Sequence, residues 1–424
     1  MIRRTLTLGL GVVLAACGSR SRLLDLGAGD GGGGGGGAGA GGAGGGAGAG
    51  GASGGAAGAG GAGGGPAACV YHDVAAGGDH TCVIDPTGAV LCFGENEFGQ
   101  LGNGQPGNDS PFPQGVVGPS DFVSLGAGEF HSSGVRAGGS MMGWGHNPLG
   151  VLGDGTTTDQ PQPSPVNGPG GAVGVSQGMI ASHACAVHQN GSVTCWGQNS
   201  HGQLGTGKLD PSLTQEQVIG LEDSIAVATG YIFSCAVQWN GVVRCWGWNA
   251  SGALGIGNLD AKTYPKPVTV VGVSDAVQVV AGNHYGCART SSGSVYCWGY
   301  NGSGQLGIGT DAEHSPAPAA VVGLTDAVWI SGGQSHVCAV RQTGSVSCWG
   351  RNYFGQLGNG TTIDANAPVT VVGITDAARV SAGGEHTCAL RSPGGLVCWG
   401  SNTSGQLGNG TSQSSAVPVD AGCP

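Results

Sequence analysis

Cysteine and histidine are the residues whose types and spacing could do chemistry here. Twelve of the 15 cysteines fall into pairs ten residues apart: Cys82 with Cys92, Cys185 with Cys195, Cys235 with Cys245, Cys287 with Cys297, Cys338 with Cys348 and Cys388 with Cys398. Five histidines, His80, His131, His183, His336 and His386, hold one equivalent point in successive segments, and Phe233 and Tyr285 hold it in two more. Metal binding is the first reading to test. Zinc sites draw Cys and His in sets of four from short spacings, which one ten-spaced pair per segment does not supply. Neither Phe nor a neutral Tyr replaces a metal ligand, so the histidine positions read as a packed planar ring. No Ser/His/Asp set, paired carboxylate cleft or phosphate-binding Gly loop ahead of a helix stands out. The sequence therefore predicts no catalytic residue, no metal and no cofactor.

The elements that position these residues are repeats. An aromatic-Gly pair recurs at Phe93, Trp144, Trp196, Trp246, Trp298, Trp349 and Trp399, at intervals of 51, 52, 50, 52, 51 and 50 residues. Each is followed by x-Asn-x-x-Gly-x-Leu-Gly-x-Gly, from Asn96 to Gly104 in the first repeat and Asn402 to Gly410 in the last. Each unit reads as four short strands; in repeat six they are 327–331, 337–341, 345–349 and 368–372. The second and third strands are joined by a turn closing on Gly88, Gly139, Gly191, Gly241, Gly293, Gly344 or Gly394, where a hairpin with a bulge needs positive φ. Seven such units predict an all-β, seven-bladed β-propeller of four-stranded blades over residues 69–424.

On that hairpin the paired cysteines face one another across adjacent strands, at about the 4.5–5.5 Å Cα separation a disulfide tolerates. Repeat two carries Ser133 and Gly143 at the equivalent positions; both cysteines are lost together, as bonded partners would be. Aligning repeats one and seven on their neighbours puts Cys69 and Cys423 two positions apart in an uninterrupted ring, so a Cys69–Cys423 bond should close it. Seven disulfides imply an oxidising compartment.

The pattern Ala-Gly-x-x-His-x-Cys-Ala, then Gly-x-Val-x-Cys-Trp-Gly-x-Asn-x-x-Gly-Gln-Leu-Gly-x-Gly, resembles the regulator-of-chromosome-condensation repeat, whose fold is a seven-bladed propeller. That resemblance is specific for fold and silent on function.

Ahead of the repeats, Met1-Ile2-Arg3-Arg4 and the apolar run Leu6 to Ala16 have the form of a secretory signal, too short to span a bilayer as a helix. The run ends in Leu14-Ala15-Ala16-Cys17, which resembles the bacterial lipobox. The resemblance implies a signal peptide over residues 1–16, cleavage before Cys17 and a lipid on that cysteine; an ordinary signal peptide is the alternative. Gly18 after the cysteine points to the outer membrane. Much of the chain's 93-residue glycine content lies in residues 31–65, where only Gly, Ala and Ser53 occur. Residues 17–68 thus read as a lipidated, disordered Gly/Ala tether. Net charge is −11, or −13 without Arg3 and Arg4. With no basic run, the chain is a poor ligand for nucleic acid or, beyond its lipid anchor, for an anionic membrane.

A working surface should lie where the repeats disagree. Between the aromatic-Gly pair and the framework Asn stand Glu95, His146, Gln198, Trp248, Tyr300, Arg351 and Ser401, one residue type per blade. Beside them come Phe98, Tyr353 and Phe354 after the Asn, and Phe130, Ile180, Tyr231 and Ile232 between strands one and two. Antiparallel strands place both sets of loops on one face, and the residues from Phe98 to Phe354 just named, with Trp248, Tyr300 and Arg351, are the expected partner-binding set. The expectation is a monomeric, non-catalytic, lipid-anchored outer-membrane protein of the cell envelope, facing the periplasm or the exterior. Its partner is a protein in the envelope or outside the cell, and its role that of an inhibitor or adhesin. Secreted bacterial propellers of the resembled family that inhibit β-lactamases are similar in repeat length. Guanine-nucleotide exchange, the activity of that family's nuclear founder, and glycan binding of the sialidase-like type are the alternatives. Export and disulfides weigh against the first, and the lack of a Ser-x-Asp-x-Gly-x-x-Thr-Trp box against the second.

Overall fold

The structure, a computed structural model, describes residues 69–178 and 182–423. The expected signal peptide 1–16, lipidated Cys17, tether to residue 68 and loop residue Ile180 lie outside the described residues. Seven four-stranded antiparallel sheets follow one another in chain order, each built from consecutive strands. In the first blade the strands are Asp73–Ala76, His80–Ile84, Val90–Gly94 and Ser110–Gly115. The blades that follow span Phe122–Pro165, Ala172–Gln217, Ser224–Thr269, Ala276–Ala320, Ala327–Thr370 and Ala377–Asp420.

First strands are almost wholly buried, and fourth strands alternate half-buried with exposed residues. The fourth strand of blade six is Ala365–Thr370 rather than 368–372. Its apolar signal is weak because it is an outer edge strand, the one place where a sheet tolerates proline, and Pro368 sits within it. Pro111, Pro161, Pro265, Pro316 and Pro418 occupy the corresponding strands of five other blades.

The core sits between blades. Phe93 and the six tryptophans of the aromatic-Gly pairs are 0% exposed. Each lies beneath the Leu-Gly turn of the preceding blade, which explains that glycine: at Gly307 (φ +65°) an added Cβ would sit 2.7 Å from the Trp349 ring. The hairpin glycines expected to take positive φ do so, from Gly139 at 79° to Gly394 at 129°.

All six ten-spaced cysteine pairs are bonded. In blade one, Cys82 is joined to Cys92 with Cα atoms 4.1 Å apart. In blades three to seven the bonds are Cys185 to Cys195, Cys235 to Cys245, Cys287 to Cys297, Cys338 to Cys348 and Cys388 to Cys398, each at 4.0 Å. These separations correct the anticipated 4.5–5.5 Å. Each pair faces across its hairpin in direct register, and the covalent bridge draws the two strands closer than an unbridged ladder stands. In blade two Ser133 and Gly143 stand opposite one another at the position of the bond. Cys69 and Cys423 are bonded with Cα atoms 5.7 Å apart.

Among the described residues no strand is exchanged across the seam between blades seven and one; specific contacts hold it instead. The Tyr71 N–H donates to the Gly394 carbonyl at 2.9 Å. The Ala76 N–H donates to Ser381 Oγ at 2.9 Å, and buried Arg379 pairs with buried Asp73 at 2.8 Å. The Cys69–Cys423 bond is the covalent member of this set.

Candidate functional site: a variable face on a repeated frame

The residues that begin the second strands form the frame beneath the loops. His80, His183, His336 and His386 each place Nε2 at 2.8–2.9 Å from a hydroxyl of the next blade: Ser132, Ser234, Thr387 and Thr81. Each hydroxyl spends its proton on a carbonyl of the preceding blade, Gln100, Gln203, Gln356 or Gln406, at 2.9–3.0 Å. The hydroxyl therefore accepts from the imidazole, which fixes the neutral Nε2–H tautomer. Burial pushes these imidazoles down to about 3, or about 4 for His386. Trp144, Trp246 and Trp399 donate to three of the same carbonyls at 2.8–2.9 Å. This latch is structural: each ring is bound sideways to its neighbouring blade.

Two of the three exceptions obey the same logic. After Phe233 the next blade carries Gly286 where the hydroxyl would be, and after Tyr285 it carries Val337. Tyr285 instead donates to the Gly333 and His336 carbonyls at 2.8 Å. His131 meets Ala184 at that point, and its buried Nε2 has no hydrogen-bond partner among the described residues. The matching of ring residue to next-blade hydroxyl is present in the sequence, although the expectation of a packed ring does not contain it.

Above the latch, a backbone bond ties each first loop to its third strand. Examples are Glu95 N–H to Asp79 O at 2.8 Å, His146 N–H to Phe130 O at 2.9 Å and Trp248 N–H to Ile232 O at 3.1 Å. Both loop sets thus emerge on one face, as the topology requires. Within the expected partner-binding set, Phe98 and Phe130 come together at 5.3 Å between ring centroids, with His146 4.0 Å from Phe98. Tyr231 and Trp248 are joined through His284, at 5.4 and 5.7 Å, and His201 extends the row 5.3 Å beyond Trp248. Tyr353 packs on Phe354 at 4.9 Å. Tyr300 and Arg351 stand apart from these rows, the first near His314 at 5.6 Å and the second 3.5 Å from Glu385.

One expected contact residue is misplaced. Ile232 is only 5% exposed, whereas Tyr231 beside it is 36% exposed. The residue directly before the ring position has its carbonyl clamped to the third strand, and at Ile232 the side chain turns inward; the residue before it carries the surface.

Carboxylates are the larger omission from the expected set. Asp79, Glu95, Glu97, Asp109, Glu129 and Glu385 lie on the loops of blades seven, one and two. Burial, then the charges of Asp79, Asp109 and Glu97, push Glu95 up to about 7, against a weaker bond from Gln100. Asp79, Glu129 and Glu385 are also raised, burial being the main cause in each. The signal lies in the sequence as acidic residues at matched loop positions of adjacent blades.

A seven-bladed propeller with covalently braced hairpins and one irregular loop face defines a class of protein-interaction scaffold. The profile of the "Regulator of chromosome condensation (RCC1) repeat" matches residues 87–135, 240–289, 292–340, 343–390 and 393–421. A second profile of that repeat matches 71–100, 181–203, 276–305 and 377–406. The chain belongs to this repeat family. It is 32% identical over 301 residues to the ultraviolet-B receptor UVR8 of Arabidopsis thaliana, covering 69% of this chain and 68% of the receptor. It is 29% identical over 297 residues to the human E3 ubiquitin-protein ligase HERC2, covering 68% of this chain but only 5% of the ligase. Among solved structures, human WBSCR16 superimposes with a TM-score of 0.71 at 22% identity, covering 79% of this chain and 94% of that one. Prp20p of Saccharomyces cerevisiae, described with binding properties to Gsp1p and histones, superimposes at 0.69 with 20% identity, covering 83% and 87%. These likenesses establish the fold.

Proposed function

We propose that this chain is a non-catalytic propeller, held to the cell envelope through a lipid on Cys17, that binds another protein through its loop face. The observation that carries the reading is the pair of aromatic and imidazole rows at Phe98–Phe130–His146 and Tyr231–His284–Trp248–His201. They stand on a frame that repeats blade after blade. Aromatic side chains clustered on a pre-formed surface are the usual carriers of binding energy at protein interfaces, and a frame latched between blades removes most of the ordering cost on binding. The envelope location rests on the lipobox-like sequence and fits a head that needs seven disulfides. Binding of Gsp1p by Prp20p makes nucleotide exchange the second reading, and an exported chain would not meet such a GTPase.

The test is a variant with Trp248, Tyr300, Tyr231 and Phe354 changed to alanine. The parent should capture and crosslink a protein from envelope extract, and the purified variant should lose that capture while keeping its fold. Unchanged capture would sink the assignment. In a separate experiment, Cys17→Ala should move the protein from the membrane to the soluble fraction.

A further inference from the structure

The loop face is chemically lopsided, and the lopsidedness describes what fits it. Phe98 and Phe130 lie in contact, 5.3 Å between centroids, and each follows a glutamate in the chain, Glu97 and Glu129. Glu95 and Asp79 stand on the same blade, linked through the bond from the Glu95 N–H to the Asp79 carbonyl at 2.8 Å. Arg351 pairs with Glu385 at 3.5 Å. Asp79, Glu95, Glu97 and Glu129 have no cationic partner among the described residues. Gln100 and Gln406 donate amide hydrogens to Glu95 and Asp79 at 3.2 and 2.7 Å, which holds two carboxylates in place without neutralising them. The upward displacement of Glu95 is what burial and crowding without a counterion produce.

On the other side of the face, over blades two to four, Leu149, Leu209, Leu213, Tyr231 and Leu259 are 36 to 53% exposed, with exposed Lys208 beside Leu209 and exposed Lys262 near Leu259. An aromatic pair edged with unpaired carboxylates, beside a leucine-bearing half with two loop lysines, matches one kind of surface. Its long cationic side chains lay their stems on the rings and their heads among the acids, and its remaining contact is apolar.

Resting on the loop-face reading above, we propose that the partner engages this face through a basic amphipathic segment. Its lysine or arginine side chains sit over Phe98 and Phe130 among the carboxylates of blades seven, one and two. Its apolar side chains lie on the leucine and tryptophan half over blades two to four. Repulsion of acidic segments by the carboxylate half would make the site selective as well as attractive.

The probes are two helical peptides of about 20 residues, equal in apolar content, one with lysine and one with glutamate on the polar face. Binding is read by fluorescence anisotropy at about 50 and about 200 mM salt. The lysine peptide should bind at least about tenfold tighter than the glutamate peptide, and lose affinity at the higher salt. Glu95→Gln, Glu97→Gln and Glu129→Gln together should weaken it about tenfold. An equal change of net charge elsewhere, Glu216→Gln, Glu222→Gln and Asp420→Asn, should alter it less than about twofold. Phe98→Ala with Phe130→Ala should also weaken it, which general attraction to an acidic protein would not. Equal effects from the two charge triples, or indifference to the ring variant, would overturn the proposal. The two readings fail separately: if the four-alanine variant loses the natural partner while the loop-face glutamine triple does not, the face binds a protein and the basic segment is wrong, whereas a four-alanine variant that keeps the partner overturns the loop-face reading itself.

Discussion

The latch layer and the loop tips directly above it differ in one respect that explains both. In the layer, a ring residue, the next-blade hydroxyl, a glutamine carbonyl and a tryptophan meet at fixed distances; at Phe233 and Gly286 both members of the pair change together, and at His131 with Ala184 the hydroxyl alone is lost. In the tips, Glu95, His146, Trp248, Tyr300 and Arg351 occupy one position with no common chemistry, yet their backbones are tied down alike. Packing constrains side chains only where they are buried between blades. Above that level the fold fixes where a side chain begins and leaves its chemistry open, which is the arrangement a recognition surface uses.

Breaking the frame should cost most, and the seam most of all. Cys69 and Cys423 are 354 residues apart, against 10 for each hairpin pair. Chain-entropy reasoning then predicts that Cys69→Ser with Cys423→Ser costs up to about 5 kcal/mol, against about 3 kcal/mol for Cys185→Ser with Cys195→Ser. Denaturant unfolding of the two double variants measures the difference. Trp246→Ala, which empties an inter-blade site and removes one of the two donors to the Gln203 carbonyl, should cost about 3–5 kcal/mol in the same assay. Thr387→Val leaves the His336 Nε2–H buried without an acceptor and should cost about 1–3 kcal/mol.

The latch also predicts a pH dependence. His336, which meets an ordinary value of 6.5 when unfolded, is held to about 3 when folded. Between those values the unfolded chain binds more protons, so this residue favours folding above about pH 6.5 and loses that contribution as pH falls toward 3. Replacing the pair with the chain's own alternative, His336→Phe with Thr387→Gly after Phe233 and Gly286, should reduce the fall in stability between pH 7 and pH 4 relative to the parent. Equal slopes would show that the imidazole is not buried neutral. The smallest effect belongs to the tips: Tyr353→Ala, at a residue 68% exposed, should change stability by less than about 0.5 kcal/mol.

These contrasts explain what can be read in advance. Seven repeats in one chain align themselves, so the blades, the hairpin glycines, the six cysteine pairs and the Cys69–Cys423 closure are all legible. The fourth strand of blade six is displaced because an exposed, proline-bearing edge strand carries little alternation. Ile232 is misjudged because loop residues do not announce which way they turn: Phe130 and His284 share its clamped carbonyl and stand in the surface rows, whereas Ile232 turns inward. The carboxylate cluster is hidden because it is assembled from loops of three blades, two of them at opposite ends of the chain. The latch hydroxyls emerge only on asking which residue of the next blade changes with each histidine.

The central claim is that recognition belongs to the loop face and not to the rest of the surface. Trp239, 63% exposed on a turn between second and third strands, offers the control, because it is a large exposed aromatic on the opposite side. Recovery of the crosslinked partner should be compared quantitatively among the parent, Trp239→Ala, and a variant with Phe98, Phe130, Tyr231 and Trp248 changed to alanine. The account predicts parental recovery for Trp239→Ala and a loss of about tenfold or more for the loop-face variant; recovery that depends on Trp239 and survives the loop-face changes would contradict it.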